Sequence, residues 1–293
     1  MAIRTFAGQL ALSFALCGTA IGQKIQGSDF AKPQGGPPAS YFAASGSIPV
    51  ASIQEAAAKA ATVPDHATYA ISHGSSVMST IHSDWTNFSE GAAFSWIADM
   101  DVDCDGLDHN CEGNPDGQDK TNWGALSAYE VPYVVIPEEF LQANPSIKPN
   151  ALTAVICNGK MYYGILGDAN GNSPQVTGEA SWLMARTCFP DEGLSGGKGH
   201  NAADVTYIVF TGDSAVLPGS ALDSNYVTDF DALRSMGDKL VGALVSNLRL
   251  SGGGNGGSSR PSPSSSSPAS SAASSRPTPS ESIYNADSDE ESD

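Results

Sequence analysis

Residues 152–186 read LTAVICNGKMYYGILGDANGNSPQVTGEASWLMAR, and this stretch decides the fold that the sequence predicts. Two apolar runs, Leu152–Cys157 and Lys160–Leu166, flank the dipeptide Asn158-Gly159. Asn-Gly between apolar runs is the strongest short-range indication of a β-hairpin, because both residues tolerate the left-handed backbone conformation of a tight turn. The segment therefore predicts two antiparallel strands at the centre of the domain.

Two carboxylates, Asp168 and Glu179, stand near the two ends of the polar turn that follows the hairpin. Each lies next to a glycine, which allows a sharp bend and the close approach of a bulky ligand. With the aromatic residues Tyr163 and Trp182 nearby, such a pair fits glycoside hydrolysis: one carboxyl protonates the leaving oxygen, and the other activates water or attacks the sugar. The same pattern also fits a turn capped by Asp168 and a solvated Glu179.

An acidic segment begins at Asp101, where Asp101, Asp103 and Asp105 alternate before Gly106 and Glu112 follows after five further residues. This spacing matches a calcium-binding loop, with carboxylates at alternate positions, a glycine turn and a distal glutamate. The residues before it look like a strand, whereas a helix usually precedes such a loop. Two other interpretations stay open: a wall of carboxylates, led by Asp101 and Asp103, that pairs with protonated amines, and a solvated acidic loop.

Two further polar residues, His200 and Asn170, are candidates for contact with a substrate. His200 precedes an apolar strand, so it would either orient a substrate or bond to the backbone of its own loop. It has no second histidine at metal-ligand spacing, which argues against zinc. The sequence also has no nucleophile elbow and no phosphate-binding loop. Asn87 opens the sequon Asn-Phe-Ser and is the predicted glycosylation site.

Residues 1–22 have the features of a secretory signal peptide: a basic start, an apolar run and small residues at Ala20 and Gly22. We expect cleavage after Gly22. This run is too short to anchor the protein in a bilayer, and no other segment is apolar enough to span one. The sequence therefore predicts a soluble, secreted monomer.

Four cysteines remain after the predicted cleavage, and an even number in a secreted chain indicates two disulfides. Three pairings are possible. We favour Cys104–Cys111, which closes a short loop, and Cys157–Cys188, which would join the strand before the central turn to the strand after it.

The formal net charge of −18 becomes −19 once the signal peptide is removed, because that segment contains Arg4 and no acidic residue. Such a balance argues against nucleic acid as a partner, since phosphate binding needs lysine and arginine. It suits a polycationic substrate or a calcium site, and it is also compatible with simple solubility.

The composition divides the chain into four parts: the signal peptide (1–22), an extended leader (23–40), one domain (41–250) and a Ser/Pro-rich acidic tail (251–293) that is predicted to be disordered. Within the domain, short strands and tight turns predict a mainly β (α+β) fold, a closed or partly closed β-barrel that resembles a double-psi barrel. A short helix over Ser52–Ala61, capped by Ser52, and one long packing helix over Thr228–Leu248 complete the prediction.

The segments GILGDANG, TGEASW, FSWIADMDVDCDG and DVTYIVF resemble those of fungal chitosanases of glycoside hydrolase family 75, over approximately Tyr41 to Leu250. The resemblance implies an endo-acting enzyme that hydrolyses β-1,4 bonds between glucosamine units of chitosan, with inversion and without an organic cofactor. It implies that Asp168 and Glu179 are catalytic, and we assign Glu179 as acid and Asp168 as base. The expected substrate-binding residues are Tyr163, Asn170, Trp182, Asp101, Asp103 and His200.

Two other functions stay open. One is another polysaccharide hydrolase on the same scaffold, acting on chitin or peptidoglycan, although the excess of acidic residues favours a cationic polymer. The other is a non-catalytic, calcium-dependent polysaccharide-binding or cell-wall protein, with a structural ion held by Asp101, Asp103, Asp105 and Glu112. Release of reducing ends from soluble chitosan would distinguish an enzyme from such a binding protein.

Overall fold

The computed structural model describes residues 23–250, so the predicted signal peptide and the predicted tail lie outside the described residues. Its helices and strands follow in chain order: α1 (Gly27–Phe30), α2 (Val50–Ala57), β1 (Thr68–Ala70), β2 (Met78–Thr80), β3 (His82–Trp85), β4 (Ala93–Asp103), β5 (Tyr133–Pro137), α3 (Glu138–Ala143), β6 (Leu152–Cys157), β7 (Lys160–Asn170), β8 (Glu179–Ser181), α4 (Trp182–Cys188), β9 (His200–Phe210) and α5 (Phe230–Asn247). Two short 3-10 helices cover Ala39–Tyr41 and Asp213–Ala215.

Six strands close into a barrel in the order β4–β8–β5–β7–β6–β9, and β9 pairs back onto β4. The pairs β4–β8 and β5–β7 are parallel, and the other pairs around the barrel are antiparallel. Strand β3 extends the sheet beside β4, and β1 and β2 form a separate hairpin. Closure removes the unpaired strand edges that an open sheet would expose. The predicted mainly β fold with a closed barrel is confirmed.

The hairpin predicted around Asn158-Gly159 joins β6 to β7. Asn158 and Gly159 have φ angles of 49° and 69°, which is the left-handed conformation that this turn requires. Strand β7 continues four residues beyond Leu166, where the apolar run ends, because its last residues pair with β5. Asp168 therefore lies on a barrel strand beside Val135. The sequence had predicted that the strand ends before Asp168 and that a turn follows.

Strand β4 also runs further than predicted, from Ala93 to Asp103. Its acidic end pairs in parallel with β8, with Asp101 opposite Glu179 and Asp103 opposite Ser181. Alternate residues of a strand point to the same face. Asp101 and Asp103 are thus neighbours on one face of a barrel strand and not the opening residues of a loop.

The long helix α5 packs against the barrel through the predicted apolar residues, which include Leu233, Leu240 and Leu244. Its N-cap is Asp229, whose side chain accepts a hydrogen bond from the backbone N–H of Ala232 at 3.0 Å. The helix predicted over Thr228–Leu248 thus begins two residues later, at Phe230, and ends one residue earlier, at Asn247.

Helix α2 begins two residues before the predicted start, after Pro49, and has no side-chain cap. The predicted cap at Ser52 is wrong, because Ser52 already lies inside the first turn. The apolar run after Glu179 contains the very short strand β8 and then helix α4, which is capped by Ser181.

Both predicted disulfides are present. Cys104–Cys111 closes its short loop with Cα atoms 6.3 Å apart, and Cys157–Cys188 joins the end of β6 to the end of α4 with Cα atoms 5.6 Å apart. The second bridge thus links a strand to a helix, whereas the sequence predicted a link between two strands. In the part of the chain that the structure describes, no helix has the length and apolar character needed to cross a membrane.

Candidate active site

An acidic cleft of about 590 Å³ opens where β4 and β7 end and β8 begins. Six carboxylates line it: Asp101, Asp103, Asp105, Asp116, Asp168 and Glu179. Among the described residues that line the cleft, Lys198 is the one lysine or arginine, and none is phenylalanine, tyrosine or tryptophan. The cleft therefore carries a concentrated negative charge, which attracts cations.

Asp168 projects from β7 into the cleft and is itself buried. Its Oδ1 atom accepts hydrogen bonds from the backbone N–H groups of Asn122 and Ala169, each at 2.8 Å. Burial raises the pKa of Asp168 to about 7, and the two backbone donors oppose that rise because they favour the charged form. The carboxyl group thus binds a proton more tightly than an ordinary aspartate does.

Glu179 is the first residue of β8 and is partly exposed to the cleft. It follows Gly178, whose φ of +94° is a conformation that side-chain-bearing residues rarely adopt. A Cβ atom on Gly178 would also collide with the side chain of Asp99. Burial raises the pKa of Glu179 to about 7, and the charge of Asp101 adds to the rise.

Asn170 shares a strand with Asp168 and forms a hydrogen bond with Glu179. It stands two residues after Asp168 on β7, so both side chains point to the same face. Its Nδ2 atom donates a hydrogen bond to Glu179 Oε2 at 2.8 Å. This bond favours the charged form of Glu179 and opposes the rise in its pKa. The sequence grouped Asn170 with the site, and the structure places it there.

Asp101, Asp103 and Asp105 also face the cleft. Burial raises the pKa of Asp103 well above its ordinary value, and the charges of Asp168 and Glu179 add to the rise. Within the described residues, the group whose carboxylate oxygens lie close enough to share a cation is Asp103, Asp105 and Asp168, all within 4.8 Å of one another.

That group differs from the calcium loop that the sequence predicted. Asp101 and Asp103 belong to a strand, and Glu112 lies exposed beyond the Cys104–Cys111 bridge. The extended backbone and the disulfide keep Glu112 out of the group of clustered carboxylates. The predicted set of Asp101, Asp103, Asp105 and Glu112 is therefore not assembled.

The aromatic residues that the sequence assigned to the site are part of the core. Tyr163 is 0% exposed, and its hydroxyl donates to Asp238 on α5 at 2.8 Å. Trp182 is 8% exposed, and its Nε1–H donates to the backbone oxygen of Pro33 at 3.0 Å. Neither lines the cleft, because the face of β7 and α4 that carries them packs against α5 and the leader.

His200 begins β9 but does not line the cleft. Its ring stacks on Phe189 with centroids 3.7 Å apart, and its nitrogens contact the carboxylates of Glu192 and Asp204 at 2.9 and 3.0 Å. The sequence offered substrate or loop backbone as the partner of His200. The structure instead gives it two acidic side chains.

Three cleft residues had no signal in the sequence: His73, Asp116 and Lys198. His73 follows β1 and Lys198 lies in a glycine-rich loop, so only tertiary contacts bring them to the cleft. The Lys198 loop docks on the disulfide loop through a hydrogen bond from Gly196 N to Glu112 O at 2.8 Å. Asn87, the predicted glycosylation site, lies exposed in a turn after β3.

A closed barrel with two carboxyl groups of raised pKa that face one polar cleft has the arrangement that glycoside hydrolysis requires. Comparison with known proteins narrows the class. The family model described as fungal chitosanase of glycosyl hydrolase group 75 matches residues 100–243, a range that includes all six cleft carboxylates.

Individual relatives agree with the family model. Endo-chitosanase C of Aspergillus oryzae is 73% identical over 253 residues, which cover 86% of this chain and 66% of the relative. Endo-chitosanase B of the same species is 40% identical over 195 residues, 56% of this chain and 80% of the relative. An endo-chitosanase of Aspergillus fumigatus is 36% identical over 191 residues, 53% of this chain and 79% of the relative. The chain belongs to the fungal chitosanases of glycosyl hydrolase group 75, and it spans 66% of the length of endo-chitosanase C.

Proposed function

We propose that this chain is a secreted endo-chitosanase that hydrolyses β-1,4 bonds between glucosamine units. The observation that carries the proposal is that Asp168 and Glu179 face one acidic cleft, with Glu179 held by a hydrogen bond from Asn170. Family membership supports the same activity, and the predicted signal peptide supports secretion. No organic cofactor is needed, because two carboxyl groups supply all the proton transfers of glycoside hydrolysis.

The hydrogen bonds of the two carboxyl groups support different roles. Backbone N–H groups can only donate, so the two that reach Asp168 Oδ1 favour its carboxylate form, which suits a base that takes a proton from water. Glu179 has a single side-chain amide as partner, and an amide can also accept a hydrogen bond from a carboxylic acid. We therefore assign Glu179 as the acid that protonates the leaving oxygen.

Inversion at the anomeric carbon follows from this division of roles. Water activated by Asp168 would attack from the face opposite the leaving group, so the new anomeric hydroxyl would have the α configuration. Inverting pairs leave about 6.5–9.5 Å between the carboxyl groups to admit that water.

The charge of the cleft supports a polycationic substrate. Six carboxylates and one lysine line it, so a chain of protonated glucosamine units would be attracted at long range and paired at close range. Because no phenylalanine, tyrosine or tryptophan among the described residues lines the cleft, we expect recognition to depend on charge and hydrogen bonds more than on ring stacking.

Two near-isosteric variants test the catalytic pair. Asp168→Asn and Glu179→Gln should each reduce the release of reducing ends from soluble chitosan about a hundredfold or more, because proton transfer is lost while packing is kept. Asp213→Asn, which alters an exposed aspartate outside the cleft, is the matched control and should behave as wild type. A variant of either site residue that keeps most of the wild-type rate would show that its assigned role is wrong.

A calcium-binding protein without turnover is the second candidate, favoured by the close approach of Asp103, Asp105 and Asp168. It predicts that calcium raises the melting temperature and that EDTA lowers it. It also predicts no reducing ends from chitosan at any enzyme concentration. The chitosanase proposal predicts release of reducing ends that persists in EDTA.

A further inference from the structure

Among the described residues, the carboxylate of Glu179 accepts one hydrogen bond, and it comes from Asn170 Nδ2 at 2.8 Å. Asn170 is 6% exposed and is the last residue of β7, where it pairs with Pro137 of β5. Burial and this pairing leave the donor little freedom to move away. The orientation of Glu179 in the cleft is therefore set by this one amide.

The other half of the same amide has no partner. Asn170 Oδ1 is buried and accepts no hydrogen bond from the described residues. A buried acceptor left unpaired costs free energy, so such atoms are rare unless they serve another state of the molecule. Here the unpaired oxygen and the donating nitrogen share one carbon atom, and a half turn of the amide exchanges their positions.

The hydrogen bonds of Asp168 differ from that of Glu179. Both donors to Asp168 are backbone N–H groups, which cannot accept a hydrogen bond, so they stabilise only its charged form. The Asn170 amide can serve both forms of Glu179: Nδ2 donates to the carboxylate, and Oδ1, once turned, accepts from the carboxylic acid.

We propose that Asn170 is a positioning residue whose side-chain amide holds Glu179 in both protonation states by turning over between them. The proposal rests on the proposed function, in which Glu179 is the acid. When its O–H bond breaks, the proton forms a new bond with the glycosidic oxygen as the C1–O bond cleaves, and Asp168 takes a proton from the attacking water. The amide then donates to the Glu179 carboxylate until solvent returns a proton to it and Asp168 releases its own.

The test compares Asn170→Ala with Asn144→Ala, whose Nδ2 donates to Phe140 O at 2.9 Å outside the cleft. Loss of a hydrogen bond to a charged group should lower kcat about tenfold to a hundredfold in the Asn170 variant, with little change in KM. The alkaline limb of its kcat/KM profile should move to higher pH, because the amide bonds more strongly to the charged carboxylate than to the neutral acid, so that losing both bonds raises the pKa of Glu179. Asn144→Ala should keep the wild-type profile.

A second readout does not need turnover. The pKa of Glu179, followed by NMR of labelled glutamate side chains and assigned with Glu179→Gln, should rise in Asn170→Ala. An unchanged Glu179 titration together with an unchanged pH profile would overturn the inference, as would a rise in KM at constant kcat, which would make Asn170 a substrate ligand only. If Asp168→Asn and Glu179→Gln stay active, the proposed function itself fails, whatever Asn170→Ala does.

Discussion

Gly178 is the residue that delivers Glu179 to the cleft, and Gly178→Ala should disrupt both stability and activity. Its φ of +94° would strain any residue with a side chain, which costs about 1–2 kcal/mol. The new Cβ would also collide with the buried side chain of Asp99, and overpacking of this kind costs about 1–3 kcal/mol. The two effects sum to about 2–5 kcal/mol.

Thermal unfolding and steady-state kinetics measure the two consequences of Gly178→Ala. For a domain of this size, each 1 kcal/mol lowers Tm by about 2–4 °C, so we expect a decrease of about 4–20 °C. Because a displacement of about 1 Å in a catalytic group can cost a hundredfold in rate, kcat should fall by at least tenfold.

Gly212→Ala is the matched control for this experiment. Gly212 has a similar φ of +83°, but nothing lies within 4 Å of a Cβ built there. It should lose only backbone strain, about 1–3 kcal/mol, and keep the wild-type kcat. Equal destabilisation by the two substitutions, or a Gly178→Ala enzyme with normal kcat, would refute the collision with Asp99 and its effect on Glu179.

Three further predictions concern pH, salt and the first disulfide. Burial raises the pKa of Glu130 to about 8, so its contribution to stability is complete below about pH 4.5 and is lost as pH rises through 8. Glu130→Gln should remove up to about 4–5 kcal/mol of that loss, which would appear as a smaller decrease of Tm from pH 5 to pH 9. An unchanged decrease of Tm would argue against a raised pKa at Glu130. Added NaCl should raise KM for chitosan with little change in kcat, because salt screens the attraction between the acidic cleft and the polymer; a salt-independent KM would exclude that attraction. Replacing Cys104 and Cys111 by serine should cost about 2 kcal/mol and lower kcat, since the bridged loop carries Asp105; wild-type kinetics in that variant would show that the loop is held without the bridge.

The parts of the fold that could be predicted depend on local chemistry. Asn158-Gly159 formed the hairpin because its two residues accept the required backbone angles, and the pairing of Cys104 with Cys111 followed from the short loop between them. The apolar spacing of α5 predicted its buried face. In each case the deciding interaction lies within a short stretch of sequence.

The errors came from interactions between distant segments. The last residues of β4 and β7 are polar, and their pairing with β8 and β5 keeps them extended. Spacing alone therefore suggested a calcium loop at Asp101, where the barrel imposes a strand. Tyr163 was predicted to bind substrate, yet helix α5 covers its ring. Gly237 of α5 lies so close that a Cβ atom there would collide with the Tyr163 ring.

The proposed catalytic pair could be selected from the sequence, and the residues around it could not. Asp168 and Glu179 could be identified because each carboxylate adjoins a glycine in a stretch that resembles one family. His73 and Lys198 reach the cleft from loops distant in sequence, so no pattern along the chain marked them. The raised pKa values have the same origin, since burial and the convergence of six carboxylates appear only in the folded barrel.

The stereochemistry of the first product tests the central claim most directly. Proton NMR, recorded during the first minutes of hydrolysis of soluble chitosan and before mutarotation equilibrates the sugars, distinguishes the two anomers of the new reducing end. An acid–base pair of Glu179 and Asp168 predicts that the α-anomer appears first from the β-linked polymer. Initial formation of the β-anomer would contradict the account, because one of the two carboxylates would then act as a nucleophile.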